Sequence, residues 1–335
     1  MKQLLKLSAA SLLVVGALTV QASTLSDVQA KGYVSCGVSK GLAGFSSADS
    51  AGNWTGVDVD VCRAVAAATL GDAQKVKFVP LTAKERFTAL QSGEIDMLSR
   101  NTTWTITRDA SLGLNFAGVN YYDGQGFMVK SSLGVSSAME LSGAAVCIQA
   151  GTTTELNLAD WGKANGIDYN SVVSDTNAQT LTNYDSGRCD VLTTDASGLY
   201  SMRAAANDPS EHVVLPEIIS KEPLGPVVRQ GDDQWFNIVR WSLNAMITAE
   251  ELGVTSATVD EVTNNPERER LMGRSGSTHE YVGLTPDWTY QIVKQVGNYS
   301  ESFERNIGIN TPIGIARGVN ALWTDGGILY SPPFR

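Results

Sequence analysis

The sequence predicts an α/β protein of two lobes, each a mostly parallel sheet flanked by helices, linked by two chain crossings. Three observations predict it. A strand, helix, glycine, strand order occurs in each half. A length of 335 residues suits about two domains. Two segments between the halves, residues 121–129 and 223–229, read as paired strands rich in glycine and proline.

The first half opens with a strand over residues 33–38 and a glycine-rich exit at Gly41 and Gly44. Residues 59–70 carry Val61, Val65 and Ala68 at helical spacing and stop at Gly71. A strand follows over 76–79. Thr82-Ala83-Lys84-Glu85 then has the spacing of a capping box for a helix bearing Phe87 and Leu90. That helix stops at Gly93 before a strand over 95–98. This βαβαβ order favours parallel pairing.

The second half repeats the plan, with strands over 144–149 and from Val172, and Gly151-Thr152-Thr153-Thr154 turning into a helix with Leu156 and Trp161. Ser92-Gly93 before Asp96 and Ser186-Gly187 before Asp190 mark matching helix-to-strand junctions. The two crossings predict a hinge with a cleft between lobes. Residues 232–252 read as a helix with Trp235, Phe236, Val239, Leu243 and Met246, and the chain from Gly253 onward is mixed.

Residues 1–22 have the composition of a removable secretory signal. Lys2 and Lys6 precede an apolar run over 7–20 and the small-residue site Val20-Gln21-Ala22. The run is too short for a membrane anchor. The four cysteines, Cys36, Cys62, Cys147 and Cys189, all follow it, an even number expected to be oxidised outside the cytoplasm. Of three possible connectivities, Cys36–Cys62 with Cys147–Cys189 closes the shorter loops and leaves the hinge free. A net charge of -10 disfavours nucleic acid as a partner. His212 and His279, far apart in sequence, give no metal-ligand spacing. No metal or cofactor is expected, and no phosphate-binding loop occurs.

Chemistry-bearing residues gather where strands of parallel sheets end. Residues 100–109 pack hydroxyls, an amide and an arginine together after a strand end, and Arg108 could grip a carboxylate bidentately. The Gly151-Thr152-Thr153-Thr154 turn is either an anion seat at a helix start or simple threonine capping. Asp195 follows a predicted strand over 190–194.

Gly56-Val57-Asp58-Val59-Asp60, the Thr103-to-Arg108 spacing, Gly151-Thr152-Thr153 and the Asp195 strand end resemble the periplasmic solute-binding proteins for polar amino acids that serve ABC importers. The run after residue 255, with Arg317-Gly318-Val319-Asn320 and Ser331-Pro332-Pro333, is similar to the general L-amino-acid-binding branch. The resemblance implies a periplasmic-binding-protein type II fold, with residues 23–124 and 225–335 as lobe 1, extended from about 255, and 125–224 as lobe 2. It implies Arg108, Thr103 and the Thr153 N–H on the ligand α-carboxylate, and Asn101 with Asp195 on the α-ammonium. Leu42 and Ala83 stand where basic-amino-acid binders stack aromatic rings, which predicts broad specificity. Val57 departs from the usual Phe or Tyr. The implied partners are an L-amino acid and an inner-membrane ABC permease with a separate ATPase subunit, and the protein is expected to be a periplasmic monomer. The alternatives are an enzyme on the same scaffold, such as a small-acid dehydratase, and a receptor for a chemosensor.

Overall fold

The computed structural model describes residues 23–335, so the expected signal segment, residues 1–22, lies outside the described residues. One sheet orders its strands Val76–Leu81, Val34–Ser39, Met97–Leu98, Val227–Arg229 and Leu114–Phe116. The other orders Asn170–Ser174, Ala145–Gln149, Val191–Asp195, Gln125–Lys130 and His212–Val214. In each, three strands pair in parallel, and the fourth is antiparallel to both of its neighbours. The reversed strand is the one that has just crossed from the other half: Gln125–Lys130 going out, Val227–Arg229 coming back. Helix crossovers bury the Val34–Ser39 strand at every position, as expected of a strand covered on both faces.

The crossings form a ribbon of Tyr121–Asp123 against Glu222–Leu224, antiparallel, with Tyr122 opposite Pro223. The single strand expected over 121–129 is therefore broken at Gly124, where a Cβ would collide with Ile218. The Asp123 carboxylate accepts the Gly124 N–H at 2.8 Å and fixes the break. The two outer edges of the ribbon are covered. Asn320 accepts the Tyr122 N–H at 2.7 Å and donates to its carbonyl at 3.0 Å, while Trp104 N–H donates to the Pro223 carbonyl at 2.8 Å. Proline loses nothing opposite Tyr122, because the backbone groups of Tyr122 point away from it.

The helix expected over 59–70 starts two residues earlier, at Val57–Leu70. Gly56 precedes it at φ 133°, where a Cβ would strike the Phe45 carbonyl, so only glycine fits. The helix is buried on nearly every side rather than on the one face of Val61, Val65 and Ala68. Helices Asp233–Glu251 and Trp288–Gln295 pack its other sides, through Val239, Leu243, Trp288 and Ile292. The chain after residue 255 thus joins the core around the first sheet. Asp60 ties it there, accepting from Ser302 Oγ at 2.6 Å, Arg305 Nη2 at 2.7 Å and Asn306 Nδ2 at 2.7 Å.

Both expected disulfides are present. Cys36–Cys62 joins the first strand to the Val57–Leu70 helix, and Cys147–Cys189 lies within the second half. Among the described residues, no helix is long and apolar enough to cross a membrane.

Candidate functional site

The strand ends of both sheets converge on the ribbon, where a narrow polar cavity lies between the two halves. Arg86, Arg100, Asn101 and Thr103 line it from one side, and Gln149, Thr152, Thr153, Thr154, Thr194 and Asp195 from the other. The halves touch around it. Thr103 Oγ1 is 3.2 Å from Thr153 Oγ1, Lys84 Nζ is 2.7 Å from Asp175 Oδ1, and Ser201 Oγ donates to the Ala43 carbonyl at 2.9 Å. Gly151 (φ 75°) permits this approach, since a Cβ there would lie 2.9 Å from Lys84 Cγ.

The first wall is built on Asp58, in the opening turn of the Val57–Leu70 helix. Its buried carboxylate accepts the Asn101 N–H at 2.7 Å, Asn120 Nδ2 at 3.0 Å and Ser99 Oγ at 3.2 Å. Burial pushes the Asp58 carboxyl up, and those three bonds with the nearby Arg100 charge oppose the shift. Held this way, Asn101 adopts φ 34°, rare for a residue with a side chain. Its buried Oδ1 has no hydrogen-bond partner among the described residues. Thr103 bridges to Leu224 of the ribbon, so this wall is fastened to the hinge.

The second wall is the start of the Thr153–Asn165 helix. Thr152 occupies the N-cap position but makes no capping bond; its hydroxyl donates to the Gln149 carbonyl at 2.7 Å instead. The leading N–H groups of this helix therefore carry no cap from the Thr152 side chain. Thr153 Oγ1 donates to Glu222 of the ribbon at 2.9 Å.

Charge is concentrated here. Asp195 is 6% exposed and makes no side-chain hydrogen bond among the described residues. Burial, then Asp123 and Glu222, push its carboxyl well above the usual range, against Arg86 and Arg108. Burial likewise lifts Asp123 to about 6. Burial lowers all three arginines, Arg100 to about 10 and Arg86 well below its ordinary value. Arg108 donates from Nη1 to the Thr103 carbonyl at 3.0 Å and lies over the Phe87 ring at 5.2 Å.

Of the residues expected from the sequence, Asn101, Thr103, Thr153 and Asp195 meet at this cavity. Arg108, buried beside Thr103, lies outside the residues that line it, as do the buried Leu42 and Ala83. Arg86, Arg100, Gln149, Thr152, Thr154 and Thr194 were not assigned roles from the sequence. For Arg86 a signal existed: it lies four residues before the buried Leu90, on the inward face of its helix. Among the described residues no group of three His, Cys, Asp or Glu side chains is placed to hold a metal ion.

Residues 34–259 match the model of the bacterial extracellular solute-binding proteins, family 3. The chain belongs to this family. It is 61% identical over 330 residues to the general L-amino acid-binding periplasmic protein AapJ of Rhizobium johnstonii, covering 97% of each. It is 56% identical over 326 residues to the glutamate/glutamine/aspartate/asparagine-binding protein BztA of Rhodobacter capsulatus, covering 96% of each. Among solved structures, an ABC transporter periplasmic binding protein from Brucella ovis with glutathione bound superposes with a TM-score of 0.92 at 57% identity, over 94% of this chain and 100% of that one. These relatives of the family 3 protein are solute binders and not enzymes, and its two-lobed α/β fold is theirs.

Proposed function

We propose that this chain is the periplasmic binding subunit of an ABC importer for L-amino acids, taking its ligand into the interlobe cavity. The observation that carries the reading is the cavity's charge. Asp195, buried and unbonded, lies between walls from both halves, with arginines buried around it. A zwitterion needs one fixed cation and one fixed anion, and both are reached together only when the cleft is shut. Ligand and closure are thereby coupled. Arg108, Thr103 and the Thr153 N–H receive the α-carboxylate. Asp195 and the unpartnered Asn101 Oδ1 receive the α-ammonium.

Charge-assisted hydrogen bonds contribute ~1.5–3 kcal/mol each. Four or five exceed the ~8 kcal/mol of a micromolar site, and the surplus is absorbed by closure and ordering. Lobe 1 comprises residues 23–124 and 225–335 and lobe 2 residues 125–224, the protein acting as a monomer. The names of AapJ and BztA, both amino-acid binders, support the ligand class. The closed form docks on an inner-membrane permease powered by a separate ATPase subunit. A thermal-shift screen of the common L-amino acids tests the reading: several should raise the melting temperature, and the ligand should be recovered unchanged. No shift with any amino acid, or conversion of one, would overturn it.

A further inference from the structure

We propose that Arg86 and Arg100 form a side-chain subsite for a second anionic group, so that the cavity prefers amino acids with a side-chain carboxylate. The inference rests on the amino-acid reading above and assigns residues to the far end of the ligand. Both arginines line the cavity, and each is 2% exposed.

Neither has a carboxylate bonded to it among the described residues, although four carboxylates, Asp58, Asp123, Asp195 and Glu222, lie in this region. Three of them are bonded to neutral donors, and Asp195, unbonded and acting on the arginines by charge alone, is the one the α-ammonium takes. Asp58 is taken by Asn101 N–H, Asn120 and Ser99. Glu222 is taken by Thr153, Asn157 and Ser220, and Asp123 by Gly124 N–H and Ser197. Arg86 Nη1 makes only long bonds, 3.4 Å to the Arg100 carbonyl and 3.3 Å to Thr102 Oγ1. Its Nε is buried with no acceptor. Arg100 Nε donates to the Leu81 carbonyl at 3.0 Å, and its terminal nitrogens donate to no described residue.

Buried guanidinium groups with no anion bonded to them are costly, and here they also repel one another. The α-carboxylate accounts for Arg108, and a zwitterion brings no further negative charge. A dicarboxylic amino acid brings one, and a planar carboxylate suits the guanidinium fork. Amides such as glutamine offer the same acceptor oxygen without the charge, and aliphatic side chains offer nothing. Aliphatic ligands are then held by their α-groups alone, so breadth and preference coexist in one cavity.

Calorimetry on the ligand-free protein with L-glutamate, L-glutamine and L-leucine, in wild type, Arg100→Gln and Arg86→Gln, tests this. The wild type should bind glutamate at least about tenfold more tightly than leucine, with glutamine between them. Each variant should lose about tenfold or more for glutamate while leucine changes by less than about threefold. Leucine binding reports that the variant is folded, and Arg100→Gln alone suffices if Arg86→Gln does not fold. Parallel losses for both ligands would place the α-carboxylate on these arginines and overturn the assignment. So would a wild type that binds leucine as tightly as glutamate, or an unchanged ratio in the variants. A wild type that binds no amino acid brings down the underlying reading as well.

Discussion

The Thr153 hydroxyl stands 3.2 Å from that of Thr103 across the cleft and donates to Glu222 of the hinge ribbon at 2.9 Å. One side chain thus touches the opposite wall and the element about which the walls turn. Thr103 is itself bridged to Leu224, the ribbon residue two places on. Ligand contacts and hinge geometry are joined within a few bonds, and substitutions here should change affinity more than fold.

Arg108→Ala should abolish measurable amino-acid binding while the far-ultraviolet spectrum stays native. The variant removes the proposed cation for the α-carboxylate together with its bond to the Thr103 carbonyl. Arg108→Lys should also bind poorly, because a point charge replaces a fork. Near-native affinity of Arg108→Ala in calorimetry would falsify the role.

Asp195→Asn should cost ~1–3 kcal/mol of affinity. It should also erode the preference for an amino acid over its deaminated analogue. If the preference is unchanged, another group reads the ammonium.

Stability and affinity should respond to pH in opposite directions. Asp123 titrates near 6 in the folded state against 3.8 when unfolded, so the folded form holds its proton more tightly. Its contribution to stability is complete below 3.8 and is lost as pH rises through about 6. The ligand-free melting temperature should therefore climb as pH is lowered from neutrality toward the lower value. Amino-acid affinity should fall over the same change, because Asp195, also raised, loses the charge that pairs with the ammonium. Asp123→Asn should flatten the stability slope; an equally steep slope would show that other groups cause it.

Replacing Cys147 and Cys189 together by serine should lower stability by ~2–5 kcal/mol. Amino-acid affinity should stay within about threefold, since the bridge closes a 42-residue separation inside one half and does not span the cleft. Unreduced peptide maps should contain Cys36–Cys62 and Cys147–Cys189 only. A mapped bridge between the halves would contradict a moving hinge.

Much of the fold was legible because local signals agreed with it. The Thr82–Glu85 box forms both reciprocal bonds, Thr82 N–H to Glu85 Oε2 at 2.9 Å and Glu85 N–H to Thr82 Oγ1 at 3.2 Å. The long helix expected over 232–252 is Asp233–Glu251, with Asp232 as its cap. The Val57–Leu70 helix misled, because periodicity reports one apolar face and the small residues Ala64, Ala66 and Ala67 gave no sign of a second. At the site, hydroxyl and amide clusters after strand ends marked Asn101, Thr103 and Thr153. Arg86 and Arg100 escaped because an arginine's burial depends on what folds over it. The carboxylates of Asp123 and Glu222 acquire their place only when two segments about 100 residues apart pair as a ribbon.

The Asn320 clasp on Tyr122 also bears on self-association. An open two-stranded ribbon offers outward N–H and C=O groups on which a strand from another molecule can grow. Here a single side-chain amide fills that place, and Trp104 fills the opposite edge. No incoming strand finds a free pair of groups at Tyr122. The two edges are stopped differently: one amide serves the Tyr122 side, while backbone bonds from Trp104 and Thr103 serve the other, so the ribbon is guarded against fibrous stacking on both.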